Sequence, residues 1–247
     1  MPAATSLDRI LVVQSILDAV GGETYLEIGV DTGGSFIPIK AKRKWGVDPS
    51  YKLTNRRLIT YAVFSILHIR VERLFRMTSD EFFVKNKKRL TSYGIDVCLV
   101  DGLHTYQQAL KDVLNALKYL KPKGVILLHD CNPTTELMAR PAAGIEILIR
   151  QGILGWNAPW SGDVWKALVH LRTLGSDVDA FALDCDTGIG VVTKRQPSSC
   201  LSFSESEICA MDYNFLSSNR DYLLGLQAPE YLNTFLHWHT RKDDKAH

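Results

Sequence analysis

Five polar stations recur along the first half of the chain, four of them carboxylates: Glu27, Asp48, the pair Thr78-Ser79, Asp101 and Asp130. Each closes a segment that reads as a strand, the third of them, Arg70–Met77, only weakly. Carboxylates so placed can grip hydroxyl pairs, bind cations or accept protons. A single acidic strand end is an ordinary turn or cap residue, but four in five successive strands exceed what packing alone would select. In an open parallel sheet, ligands bind outside the carboxyl ends of the strands, so these stations define the candidate site.

The first station opens a glycine-rich turn, Glu27-x-Gly29-x-x-x-Gly33-Gly34. It departs from the G-x-G-x-x-G fingerprint, whose glycines let the backbone approach a pyrophosphate. Asp31 stands two residues after Gly29, where its charge would oppose a diphosphate. Asp48 follows Glu27 by 21 residues, at the end of the second strand. From that position a carboxylate accepts both hydroxyls of a ribose. Together the two units point to a nucleoside ligand without a diphosphate.

The elements that must hold these residues follow from periodicity. Leu7, Ile10, Leu11, Ile16, Leu17 and Val20 recur at helical spacing before Gly21-Gly22, which reads as a covering helix over residues 1–20 with a glycine stop. Strands are expected at 25–28, 44–48, 70–77, 95–100 and 125–128. Between them the pattern predicts a helix N-capped by Ser35 with Pro38 in its first turn, then helices at 54–68, 80–90 and 105–120. The last places Leu110, Val113, Leu114, Leu117 and Leu120 on one face, and Pro122 and Gly124 end it. Beyond a Pro-, Gly- and Trp-rich loop (132–162) come helices within 142–150 and 164–174, a hairpin of 180–184 with 190–193, and helices at 204–216, 218–226 and 230–239. The fold class is α/β: a Rossmann-like doubly wound, mostly parallel sheet with a terminal antiparallel hairpin and a helical C-terminal extension.

Several segments resemble class I S-adenosylmethionine (SAM) dependent methyltransferases. They are Tyr25-Leu26-Glu27-Ile28-Gly29, Val47-Asp48-Pro49, the D-G-x-H-x-Y segment Asp101–Tyr106, and Lys121-Pro122-Lys123-Gly124 running to His129-Asp130. The last two are similar to a bacterial subgroup that includes O-methyltransferases acting on sugars. The resemblance covers about residues 20–195 and implies a SAM-binding domain at 1–195 followed by an extension at 196–247. It implies Glu27 and Gly29 beside the methionine moiety, Asp48 on the ribose hydroxyls, Thr78 and Ser79 facing the adenine, and Asp101 bordering the cofactor. Many relatives carry an acidic residue where Thr78 stands.

Asp101 and Asp130 end adjacent strands 29 residues apart. Two converging carboxylates can bind Mg²⁺, a hard cation that prefers oxygen ligands, and related O-methyltransferases place a metal there. Asn132 or His129 could supply a further ligand; alternatively, both aspartates are caps. An alcohol acceptor must lose its proton, and a divalent ion acidifies and orients it. His104, three residues past Asp101, is the candidate general base and Asp101 its rival. Trp156, Trp160 and Trp165 in the following loop could stack on a sugar ring or pack the tail on the sheet.

Composition narrows the setting. The 247 residues are 46% hydrophobic with a net charge of +2, and no run approaches a membrane span. The charge argues against a nucleic-acid partner; the basic clusters Lys40/Lys42/Arg43/Lys44, Arg56/Arg57 and Lys85/Lys87/Lys88/Arg89 read as solvated faces. A non-basic N-terminus interrupted by Gln14 and Asp18 does not read as a signal peptide. Five cysteines without a CxxC pair fit a reducing cytoplasm. The expected partner is a small-molecule or saccharide acceptor, and a homo-oligomer stays open. The rival readings are a nicotinamide-dependent oxidoreductase, a non-catalytic binding module and a nucleic-acid methyltransferase. The last lacks an N/D-P-P-Y/F strand end.

Overall fold

A computed structural model describes residues 7–53, 71–155, 158–175 and 177–241. The helix expected at 54–68 and Trp156 lie outside them. β1 (Thr24–Ile28), β2 (Arg43–Val47), β3 (Val71–Phe75), β4 (Ile95–Val100) and β5 (Leu120–Leu128) run parallel; β6 (Asp179–Leu183) and β7 (Ile189–Thr193) close the sheet in the order β3-β2-β1-β4-β5-β7-β6. β7 is antiparallel to both β5 and β6, the expected terminal hairpin. All six residues of β4 are buried, as a strand covered on both faces requires.

Alternation along the strands splits the core in two. Leu26, Ile28, Cys98, Val100, Ile126 and Leu128 face one layer, while Tyr25, Val97, Leu99, Val125 and Leu127 face the other. The first layer holds α2 (Ser79–Lys85), α3 (Lys87–Tyr93), α4 (Tyr106–Leu117) and α6 (Trp165–Leu171), after the short α5 (Ile145–Arg150). The second holds α1 (Arg9–Val20). The tail divides between them: Ile208 of α7 (Glu205–Ala210) and Leu216, Leu223 and Leu224 of α8 (Tyr213–Leu224) join the first. Leu232 and Phe235 of α9 (Tyr231–Thr240) join the second, beside α1. The extension therefore wraps the β6 edge and covers both faces.

Several expectations shift. No helix follows the glycine turn: residues 31–38 are turns, joined by Ile37 N–H to the Gly33 carbonyl at 3.1 Å. Ser35 cannot cap there because its hydroxyl is spent on Glu27 (2.7 Å). The helix expected at 80–90 is two, broken at Asn86, which ends α2 and precedes α3. β5 begins at Leu120, so Pro122 and Gly124 lie inside it, at a register irregularity against β4 that spares proline a ladder hydrogen bond. The buried stripe of α4 runs through Ala109, Val113, Ala116 and Leu117, leaving Leu114 exposed. In the tail, Asp212 caps Phe215 N–H at 2.8 Å and moves the helix break ahead of Tyr213.

Candidate active site

The carboxyl ends of β1, β4 and β5 are locked together by backbone contacts. Asp101 N–H donates to the Ile28 carbonyl (2.8 Å), and His129 N–H donates to the Val100 carbonyl (3.0 Å). Gly29 sits at φ +90°, and a Cβ there would stand 2.0 Å from the Asp101 carbonyl oxygen. Only glycine lets the β1 turn pass this close to the end of β4. A glycine read as a cofactor turn is thus also what seats Asp101.

Around that turn the expected cofactor residues are already engaged. Glu27 is fully buried; its carboxylate accepts from the Tyr25 hydroxyl and from Ser35. Burial pushes its pKa up to about 7 against the pull of those hydrogen bonds. Asp48 Oδ2 accepts from the amides of Val30 (3.0 Å) and Asp31 (2.8 Å), and Oδ1 from Ser50 (2.7 Å), clasping the glycine turn to the end of β2. Thr78 caps α2 in a reciprocal box with Glu81, and Ser79 accepts from Gln108 at 3.2 Å.

The densest chemistry lies between the ends of β4, β5 and the β6–β7 turn. Asp101 Oδ2 is held by Arg9 Nη1 at 2.5 Å. Asp130 Oδ1 accepts from Ser161 Oγ (2.9 Å) and Thr187 Oγ1 (2.8 Å). The remaining oxygens, Asp101 Oδ1 and Asp130 Oδ2, face a common centre with His104 Nε2, at 3.7 and 3.4 Å. His129 Nδ1 reaches the same two oxygens at 3.3 and 3.0 Å without hydrogen-bond alignment to either. Its Nε2 lies 3.5 Å from Asp186 Oδ1. His104 Nδ1 faces the Trp160 carbonyl at 3.0 Å, and a carbonyl only accepts, so Nδ1 carries a proton and Nε2 is the atom left for chemistry.

The electrostatics follow from these distances. Burial alone would lower the pKa of His129, yet Asp101, Asp130 and Asp186 push it up to about 11. His104 is raised in the same way, burial being outweighed by Asp101 and Asp130. Burial would raise Asp101 and Asp130, but the imidazoles, with Arg9 beside Asp101, hold both below the usual carboxylate range. Asp186 is lowered by His129 and by Arg9.

A carboxylate oxygen from Asp101, one from Asp130 and a ring nitrogen of His104 lie within 4.8 Å of one another. Each aspartate has one oxygen tied down and one turned to the centre, a donor set that fits a divalent cation. The oxygens suit Mg²⁺, with His104 Nε2 beside them as a proton acceptor. Asn132 is not available as a ligand: its amide oxygen accepts from Arg220 and its nitrogen donates to Asp184.

Backbone strain gathers here as well. Asp130 (φ 64°), Asp186 (φ 44°) and Thr187 (φ 61°) adopt left-handed conformations, costly above all for a β-branched threonine. Sequence reasoning missed Arg9, Ser161, Asp186 and Thr187. Arg9 sits in a helical pattern, and Asp186-Thr187-Gly188 reads as the tip of a hairpin. Trp160 stacks on His104 with ring centroids 5.2 Å apart, whereas Trp165 is buried in the core.

Residues 26–131 match the model of a family described as a methyltransferase domain. The structure is similar to an O-methyltransferase from Bacillus cereus in complex with SAH (16% identity, 78% of this chain and 84% of that one, TM-score 0.51). It is also similar to the O-methyltransferase TomG from Streptomyces achromogenes, involved in tomaymycin synthesis and bound to SAM (15% identity, 78% and 82%, TM-score 0.53). At these identities the likeness is one of fold. Comparison with curated proteins finds no match. No helix among the described residues is long and apolar enough to cross a membrane. The matched segment runs from β1 past the end of β5 and so carries Glu27, Asp48, Asp101 and Asp130.

Proposed function

We propose that this SAM-dependent methyltransferase transfers its methyl group to a hydroxyl of a saccharide or related small molecule, with Mg²⁺ assistance. The observation that carries the reading is the meeting of Asp101, His104 and Asp130 within 4.8 Å at the strand ends, beside the Gly29 turn. Methyl transfer from a sulfonium is an in-line displacement: the C–S electron pair goes to sulfur as the O–C bond forms. What an alcohol acceptor needs besides positioning is removal of its proton. His104 suits that task, because Trp160 fixes its Nδ1 and the two carboxylates orient the ring with Nε2 toward the centre. Asp101 and Asp130 would hold Mg²⁺, which when bound supplies acidification and orientation of the acceptor hydroxyl. The exposed side of the Trp160–His104 stack offers an aromatic wall for a sugar ring. Glu27 and Gly29 serve the methionine moiety, Asp48 the ribose, and Thr78-Ser79 the adenine side, with residues 1–195 as the SAM-binding unit.

The Bacillus cereus and Streptomyces achromogenes structures are both named as O-methyltransferases, in keeping with a hydroxyl acceptor. The test is incubation with methyl-labelled SAM and a panel of free and glycosidic sugars, with and without a chelator. Expected is label in an ether stable to base, falling on chelation and restored by Mg²⁺. Label on an amine or a thiol, or full activity in the chelator, overturns the acceptor class or the metal respectively.

A further inference from the structure

On the β2–β3 side of the sheet, three arginines from three elements line one cavity of about 210 Å³. Arg43 opens β2, Arg73 lies on β3 and Arg89 on α3, with Trp45 and Tyr93 completing the wall. The placement is dictated by register. Arg43 and Trp45 are two apart on β2, Trp45 pairs with Arg73 across β3, and Arg89 and Tyr93 are four apart on α3. All five therefore point into the same layer of the sheet.

The charges in this cavity are not balanced from within. Arg43 pairs with Glu23 at 2.7 Å, and Glu23 also takes Lys42 at 3.0 Å. Among the described residues Arg89 meets Asn86 and the face of Phe75, 5.2 Å from its guanidinium carbon, and no carboxylate. Arg73 has no carboxylate partner among the described residues. Burial and the neighbouring Arg73 both work against the charge on Arg89. Glu23 answers Arg43 alone, and the two remaining guanidiniums, Arg73 and Arg89, meet no carboxylate among the described residues, an arrangement that an anion relieves.

We propose that the Arg43–Arg73–Arg89 cavity is a binding site for a small phosphorylated ligand, held through its phosphoryl group and separate from the methyl-transfer site. Guanidinium forks match phosphate oxygens in pairs, which an ammonium does not. The volume falls below the roughly 300–1,000 Å³ of sites for drug-sized ligands, which suits a phosphoryl group rather than a whole nucleotide. Arg43 and Arg89, members of the clusters Lys40/Lys42/Arg43/Lys44 and Lys85/Lys87/Lys88/Arg89 that read as solvated faces from sequence, thereby share one cavity.

The experiment titrates inorganic phosphate into the full chain, following thermal unfolding and isothermal heat, against sodium chloride at equal ionic strength. Expected is a saturable stabilisation by phosphate that chloride does not reproduce, weakened at least tenfold in Arg73→Gln and in Arg89→Lys. Lys87→Gln, whose side chain does not line the cavity, should bind as the wild type does. Arg89→Lys keeps the charge and removes the fork, so it separates recognition from general electrostatics even if Arg89→Gln folds poorly. Equal shifts in phosphate and chloride, or unchanged affinity in both arginine variants, overturn the proposal. So does a single-stranded oligonucleotide that binds tightly through the same arginines while phosphate does not, since that would make the cavity part of a nucleic-acid surface.

Discussion

Glu27 is a carboxylate with no exposed surface, and its protonation should be visible in the stability of the whole protein. Its pKa rises from 4.5 to about 7 on folding, chiefly by burial. Below pH 4.5 both folded and unfolded chains hold the proton, and the group contributes nothing unfavourable. Between 4.5 and about 7 the unfolded chain releases it first, so stability falls as pH rises, by about 1.36 kcal/mol per unit. Above that window the full penalty persists, roughly 3 kcal/mol for a shift of this size. Glu27→Gln removes the charge while keeping the shape. The Tyr25 and Ser35 hydroxyls that now donate to it can each donate or accept, so the amide finds partners. Urea unfolding of both proteins from pH 4 to 8.5 is the assay. The variant should match the wild type near pH 4 and exceed it by about 3 kcal/mol at pH 8. It should also bind SAM more weakly, the pattern of a residue kept for its ligand at a cost in stability. A stability difference that stays flat across this range would refute the burial argument, whatever happens to SAM.

The remaining expectations concern the turn and the charged centre. Asp48→Ala frees three backbone amides and strips the ribose acceptor, so calorimetric SAM affinity should drop by more than about tenfold; unchanged affinity would count against the ribose role. Asp101→Asn should reduce turnover by about 10²–10⁴-fold with SAM binding largely retained, measured by labelled-methyl release and calorimetry; activity that survives both this change and chelation removes the metal-assisted scheme. Gly162→Ala places a Cβ 2.0 Å from the His104 carbonyl oxygen at φ +60°. It should destabilise by roughly 1–3 kcal/mol and lower turnover more than SAM affinity, and a neutral effect would mean that His104 need not be held where it is.

The doubly wound sheet was legible because its signals are local. The apolar run Val97–Val100, the glycine stop at Gly21 and the carboxylates closing successive strands are each written within a few residues. Because neighbouring parallel strands end on one edge, Asp101 and Asp130 could be expected to meet without knowing a single distance. Ser35 shows where local reading fails: as a cap it fits every propensity rule, yet a buried carboxylate eight residues earlier claims its hydroxyl. Arg9, Ser161, Asp186 and Thr187 were illegible for a related reason. Arg9 and Asp186 are 177 residues apart, and nothing in either neighbourhood announces the other. Chain order and residue type determined that acidic groups would gather at one rim. Which oxygen of each is tied down, which faces the centre, and which cations balance them were decided only when helix α1 and the β6–β7 turn closed over that rim, because charge pairing depends on separations of a few ångströms that sequence spacing does not encode.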